Sequence, residues 1–278
     1  MIKEKNLSYE ITPPKSFIHI DFGQLWRFRE LFYIFTWRDI KVRYKQTIVG
    51  VSWVVFQPLL MMLIFTVFFG ILAKIPSQGT PYPIFVYSGL LFWNYFSSAL
   101  TNSSNSLVES QEMIKKVYFP RMILPISATL AGLIDLVISF IVLLLLMAAY
   151  HFSPHLIGIV LVPMLMLLTL LLAASLGLIL SSINVKYRDV RAVLPYFIQI
   201  IFFLTPVIYP PTLIPQRFSW LLLLNPMTGI ISACRSSLLG QGAINWMGLG
   251  VSVLIIFLLL FFGFYYFKKT ERFFADIV

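Results

Sequence analysis

The chain has 278 residues, 59% apolar and only 12% charged, against roughly 25% charged in a globular domain. Its net charge of +10 has no polar surface to spread over, which excludes nucleic acid; the cations are expected to mark membrane topology and meet lipid headgroups. One cysteine, Cys234, rules out an internal disulfide or a thiolate metal cluster, and no metal site is expected.

Residues 1–22 are polar, are broken by Pro13 and Pro14, and contain no apolar signal segment, so they read as an extended cytoplasmic lead. Over 23–45 the pattern turns helical. At about 100° per residue, Arg27, Glu30, Arg38, Lys41 and Lys45 share a narrow face with Ile34, and Leu25, Phe28, Leu31, Phe32 and Phe35 fill a broad region beside it. Trp26, Tyr33, Trp37 and Tyr44 add amphipathic rings. This predicts a helix lying in the membrane interface, apolar face down and cations toward anionic headgroups.

Charge then stops. Residues 38–45 hold five charged side chains, and from Ile48 to Gly70 there is none. The run Ser52–Leu72 is interrupted only by Gln57 and Pro58, and at about 1.5 Å per residue it is long enough to cross the bilayer. Five further crossings are expected at about 84–100, 122–149, 156–180, 193–208 and 246–267, the third longer than needed and therefore tilted or projecting. Lys and Arg number nine in the N-terminal segment and three each in 101–121, 183–192 and the C-terminal tail. The intervening loops hold only Lys74, Arg217 and Arg235. Basic residues are retained on the cytoplasmic side, so both termini are expected there.

Between the second and third crossings, Ser106 and Glu109 stand at the spacing of a capping box. A short helix is expected over 107–117, stopped before Pro120 and carrying Glu109, Glu112, Lys115 and Lys116. It reads either as a solvated turn or as a docking knob for a soluble partner. After the fifth crossing, Pro206, Pro210 and Pro211 end the helix repeatedly, and two apolar pieces separated by Asn225 and Pro226 are each too short to cross. Residues 210–240 are therefore expected to be two half-helices dipping in from the outer face, an outer gate with irregular backbone buried against protein or water. Arg235 lies in the second half-helix. It is expected to bond carbonyls freed by the prolines, the competing reading being a side chain that snorkels to outer headgroups.

RDIKVRYKQTIVG with the following W and QP, KKVYFPR, NVKYRDVRAVLPYFIQIIFFLTPVIYP and LNPMTGIISACRSSLLG stand in order along the chain. Together these segments resemble the ABC-2 type permeases that export lipid-linked bacterial polysaccharides, closest in look to the O-antigen permeases among O-antigen, capsular and teichoic-acid exporters. The resemblance implies an all-α integral membrane protein of the bacterial inner membrane, with six transmembrane helices, a cytoplasmic lead and amphipathic interface helix over 1–45 and a single transmembrane domain over 46–278. It also implies a cytoplasmic coupling helix and a re-entrant outer gate. The implied partners are a second copy of the chain, two nucleotide-binding ATPase subunits and the lipid-linked polysaccharide.

No G-x-x-x-x-G-K-[ST] phosphate loop occurs, so ATP and magnesium are expected on the partner subunit; no cofactor is expected on this chain and no catalytic residue. An ion-coupled carrier and a membrane transferase are the alternative readings. The first would need several ionisable groups at membrane depth. Asp135 is the single intramembrane carboxylate, expected to bond Ser, Thr or backbone of a neighbouring helix. The second would need paired carboxylates or a His–Asp constellation, and none clusters. Phe92, Trp93, Tyr95, Phe96, Tyr196, Phe197, Phe202 and Phe203 are expected near a sugar channel, where C–H faces slide on rings. Arg38, Arg43, Lys45 and Arg121 are expected at the cytoplasmic entry for a lipid-linked pyrophosphate, with membrane anchoring as the competing role for each.

Overall fold

In a computed structural model of the protein, residues 22–45, 50–187, 189–271 and 274 are described, and every regular element among them is helical. The lead expected over 1–22 lies outside the described residues except for Phe22. Four apolar stretches are long enough to cross a membrane: Ser52–Leu72, Ile123–Ala149, Leu156–Lys186 and Trp246–Thr270. The first is α3 (Gly50–Phe65), which widens into π-type turns over Thr66–Leu72. The last two are α8 (Leu156–Lys186) and α12 (Trp246–Thr270). The expected third crossing is not one straight helix. It is interrupted at Gly132, which separates α6 (Ile123–Ala131) from α7 (Leu133–Ala149).

The expected second crossing is the first half of a longer helix, α4 (Tyr82–Glu109). Its Ser- and Asn-rich continuation from Thr101, expected as a loop, stays helical, and hydroxyls on both sides of that boundary donate to carbonyls of the preceding turn. Ser97 donates to Asn94 O, Ser98 to Tyr95 O and Thr101 to Ser97 O. Asn184 of α8 donates to Ser104 O and Asn105 Oδ1, tying that polar end across the interface. The capping box is corrected accordingly. Ser106 is buried inside α4 and donates to Ser103 O, and Glu109 ends α4 rather than sitting within the next helix, α5 (Gln111–Lys116).

The expected interface helix forms two pieces, α1 (Phe22–Arg27) and α2 (Arg29–Lys45). Its apolar residues meet protein as well as any membrane: Phe28, Leu31, Phe32 and Phe35 pack on a cluster that includes Phe119, Met122 and Ile123 beside α6. Trp26, Tyr33 and Trp37 point outward. The fifth apolar helix, α9 (Val190–Leu204), has 15 residues. The chain then passes through irregular backbone into α10 (Ser219–Leu224) and α11 (Pro226–Leu238), each too short to cross.

The core is built on α8, which packs along α4, α6, α11 and α12. It is apolar nearly all round, and Leu165, Leu168, Leu172, Ala173 and Leu178 are buried against its neighbours. Close approach to α4 depends on Gly177: a Cβ there would stand 2.2 Å from Ser103 Oγ. Gly177→Ala is therefore expected to destabilise the purified protein by about 1–3 kcal/mol through overpacking. A second change, Ser103→Gly, should recover part of the lost melting temperature. An unaltered melting temperature for Gly177→Ala would mean that the two helices do not touch at this point.

Candidate functional site

The prolines at 206 and 210 stop α9 and leave a short non-helical run buried inside the protein. Thr205, Pro206, Val207, Ile208 and Pro210 are all buried. Carbonyls in a non-helical run have no helical N–H to accept from, and buried without partners they would cost as much as lost hydrogen bonds. Side chains from two other helices satisfy them. Arg235 of α11 donates from Nη1 to Pro206 O at 2.7 Å and from Nη2 to Val207 O at 2.5 Å. Tyr82, at the start of α4, donates to Ile208 O at 2.7 Å. Asn225, the N-cap of α11, donates to Thr205 Oγ1 at 2.8 Å while its Oδ1 accepts from Met227 N.

Arg235 also reaches α4. Nη2 donates to Phe85 O at 3.0 Å, Nε lies 3.4 Å from Ser88 Oγ, and the guanidinium carbon sits 3.6 Å from the centre of the Phe85 ring. Only 2% of the residue is exposed, so snorkelling to a headgroup layer is excluded in this conformation. Gly89 makes room for it, since a Cβ there would come within 2.9 Å of Nη2. One planar, multi-donor cation thus joins α4, the 205–208 turn and α11. An ammonium has a single donor centre and cannot span those acceptors.

At the opposite end of α4 the chain presents α5. Ile114 is buried and anchors it, Glu112 pairs with Lys116 at 3.5 Å on the exposed side, and Lys115 is exposed. Val117 and Tyr118 beside it are exposed apolar residues, Tyr118 at 84%. Nearby, Arg121 donates to Glu271 O at 2.7 Å and its backbone N–H to Glu271 Oε1, and Phe274 is buried against Phe267. The C-terminal end of α12 is thereby pinned under the segment leading out of α5.

Three of the four expected entry cations have protein partners. Arg121 holds the tail as above. Arg43 of α2 forms an ion pair with Asp135 of α7, and the Tyr44 hydroxyl donates to the same carboxylate. Burial, and after it the Asp135 carboxylate, push the Tyr44 phenol upward from its ordinary pKa, which keeps it protonated and donating. Asp135 is thus bonded, but to Arg43 and Tyr44 rather than to Ser, Thr or backbone. Arg38 pairs with its neighbour Asp39 and lies over the Phe35 ring, and Lys45 is exposed.

The expected channel rings fall into two groups. Phe92, Trp93, Tyr95 and Phe96 are buried in the core of the subunit, with Tyr95 donating to Thr129 O. Tyr196, Phe197 and Phe203 of α9 face outward, and Phe202 packs behind them on Trp93 and Phe65. Sequence reading missed Phe85, Ser88 and Gly89 as the counterpart of Arg235. Their type gives little signal, because Phe85 accepts through its backbone and Gly89 contributes only space.

The pattern of the ABC-2 type transporter family matches residues 30–239. The O-antigen export system permease protein RfbA of Klebsiella pneumoniae is 28% identical over 249 residues, 90% of this chain and 95% of that protein. The protein of the same name in Myxococcus xanthus is 31% identical over 218 residues, 77% of this chain and 82% of that protein. The polysialic acid transport protein KpsM of Escherichia coli is 23% identical over 239 residues, 84% of this chain and 91% of that protein.

Replacing the guanidinium tests the joint as a structural unit. Arg235→Lys is expected to cost about 3 kcal/mol, since it leaves carbonyls at 85, 206 and 207 short of donors around a buried charge. Thermal melting of the chain in lipid nanodiscs should fall by several degrees; a melting temperature equal to the wild type would show that these bonds add no stability.

Proposed function

This chain belongs to the ABC-2 type transporter family, and from that premise we propose that it is the membrane-spanning permease subunit of a polysaccharide exporter, carrying a lipid-linked polymer of O-antigen type across the bacterial inner membrane. The observation that carries this is the 90% coverage of the chain by an O-antigen export permease, with a polysialic acid transport protein also alignable over 84% of it. The chain is a transport component and not an enzyme. ATP hydrolysis resides in a separate subunit, in keeping with a sequence that holds no phosphate-binding loop.

In our reading the domain over 46–278 crosses six times, by α3, α4, α6 with α7, α8, α9 and α12, and both ends of the chain lie in the cytoplasm. The excess of Lys and Arg in the segments assigned to that side supports this. The unit over 1–45 braces the domain through Arg43 and Asp135. Helix α5, with Glu112, Lys115 and Lys116 and with Glu109 just before it, docks on the ATPase, and the exposed Val117 and Tyr118 extend that surface. Two ATPase subunits holding ATP and magnesium serve a pair of permease copies. The copies meet across the exposed apolar faces of α3 and α9, which include Trp53, Phe56, Ile200 and Leu204.

The polymer then passes along the exposed rings of α9, Tyr196, Phe197 and Phe203, which Phe202 and the buried Phe92, Trp93, Tyr95 and Phe96 support from behind. Lys45 and Arg38 meet the pyrophosphate on the cytoplasmic side. At the outer end Pro206, Pro210, Pro211 and Pro226 shape the gate, and Arg235 holds α11 to α4 and to the 206–207 carbonyls while the path is shut.

The purified chain alone is expected to show no ATP turnover. Co-expressed with the ATPase encoded beside it, it should co-purify and hydrolyse ATP, and Glu112→Lys with Lys116→Glu should weaken that association at least several-fold while membrane insertion is kept. Turnover by the permease alone would contradict the assignment of hydrolysis to a partner. Full association in the α5 variant would remove α5 from the docking surface.

A further inference from the structure

Helix α5 has six residues, too few to hold themselves helical in water, where isolated helices need about 12–15. Its pose must therefore come from anchors outside it. On its N-terminal side the Ser110 carbonyl accepts from Met113 N and Ile114 N in the turn that follows α4. From its middle, Ile114 enters a core cluster separate from the one that holds Phe85 and Val207. On its C-terminal side the chain leaves through an extended Val117 and reaches Arg121 before α6.

That last anchor point is held from the far end of the chain. Arg121 Nη1 donates to Glu271 O at 2.7 Å and Arg121 N to Glu271 Oε1 at 3.2 Å. Lys268, in the last turn of α12, donates to the other carboxylate oxygen at 3.3 Å. Phe274 is fully buried; its ring meets Phe267 edge-on at 5.4 Å and lies 6.0 Å from the Arg121 guanidinium carbon. It fills the same cluster that Ile114 enters, together with Phe119 and with Phe35 of α2, whose rings are 5.6 Å apart. Removing so large a buried ring would leave a cavity toward which its neighbours can shift.

We propose that Glu271 and Phe274 are positioning residues for α5. They close the cluster beneath it and hold its exposed side, Glu112 and Lys116 with Val117 and Tyr118 beyond, in the pose that meets the ATPase. The proposal rests on the reading of α5 as the ATPase docking element, and it gives two residues beyond α12 a part in coupling.

The test places the full chain in nanodiscs and reads its affinity for the ATPase subunit encoded beside it, together with backbone hydrogen exchange over 111–118. Phe274→Ala should speed exchange over 111–118 several-fold and leave α11, in the other cluster, as protected as in the wild type. ATPase binding should weaken about tenfold, as when the competent pose falls to about a tenth of the population. Phe274→Leu keeps most of the buried volume and should bind the ATPase nearly as the wild type does. Glu271→Ala leaves the cluster filled and removes the side-chain acceptor of Arg121 N, so it repeats the test without a cavity; both readings should move in the same direction by less.

Unchanged exchange over 111–118 in Phe274→Ala would overturn the proposal. So would faster exchange shared equally by α11, which marks general loosening. Faster exchange confined to 111–118 with wild-type ATPase affinity overturns it too when Glu112→Lys with Lys116→Glu does weaken binding, because α5 then docks whatever its pose. If neither Phe274→Ala nor that charge reversal weakens binding, the docking reading of α5 itself fails and takes the coupling role of Glu271 and Phe274 with it.

Discussion

A non-helical turn buried inside a protein holds carbonyls that something must satisfy, and here a single guanidinium does most of it. Pro206 and Pro210 end α9 where the chain is already buried, and Arg235 supplies donors to the carbonyls of 206 and 207 while Tyr82 supplies one to 208. The cost of burying the charge and the cost of the broken helix offset one another, because each provides what the other lacks. Removing either partner leaves the other exposed to its full penalty. That mutual dependence fixes α11, α4 and the turn after α9 in one arrangement.

The arrangement also bears on reach. Helix α4 is one continuous element from Tyr82 to Glu109, about 42 Å at helical rise. Its first turns receive Arg235, and its last residue adjoins α5. The joint and the exposed α5 surface are therefore attached to opposite ends of the same rod, with α8 packed along it and the Ser103–Gly177 contact setting the spacing. The Arg43–Asp135 pair performs a different task on the other side of the subunit, holding α2 to α7 just past the interruption at Gly132.

Much of this was legible in the sequence because it rests on composition along the chain. The apolar run of α3, the half-length pieces around Asn225 and Pro226, and the need of Arg235 for proline-freed carbonyls follow from length, charge and the chemistry of proline. The errors arose where tertiary packing overrode local pattern. The polar run from Thr101 read as a loop, yet it stays within α4, where Ser103 donates to Pro125 O of α6 and Asn184 of α8 donates to Ser104 O. The rings at 92–96 read as lying near a channel; they sit midway along a helix that meets α8 along its length and are buried inside the subunit. Arg43 and Arg121 read as headgroup contacts because their acceptors, Asp135 and Glu271, stand 92 and 150 residues away.

The central claim is that Arg235 keeps the path closed at its outer end. The most direct measurement is the ionic conductance of the permease–ATPase complex in a planar bilayer without ATP. The account predicts a silent wild type and a conducting Arg235→Lys, since a charge retained without the planar fork cannot hold α11 to both α4 and the 206–207 carbonyls. An ion-tight membrane with Arg235→Lys, and again with Arg235→Ala, from complexes that still assemble, would contradict it.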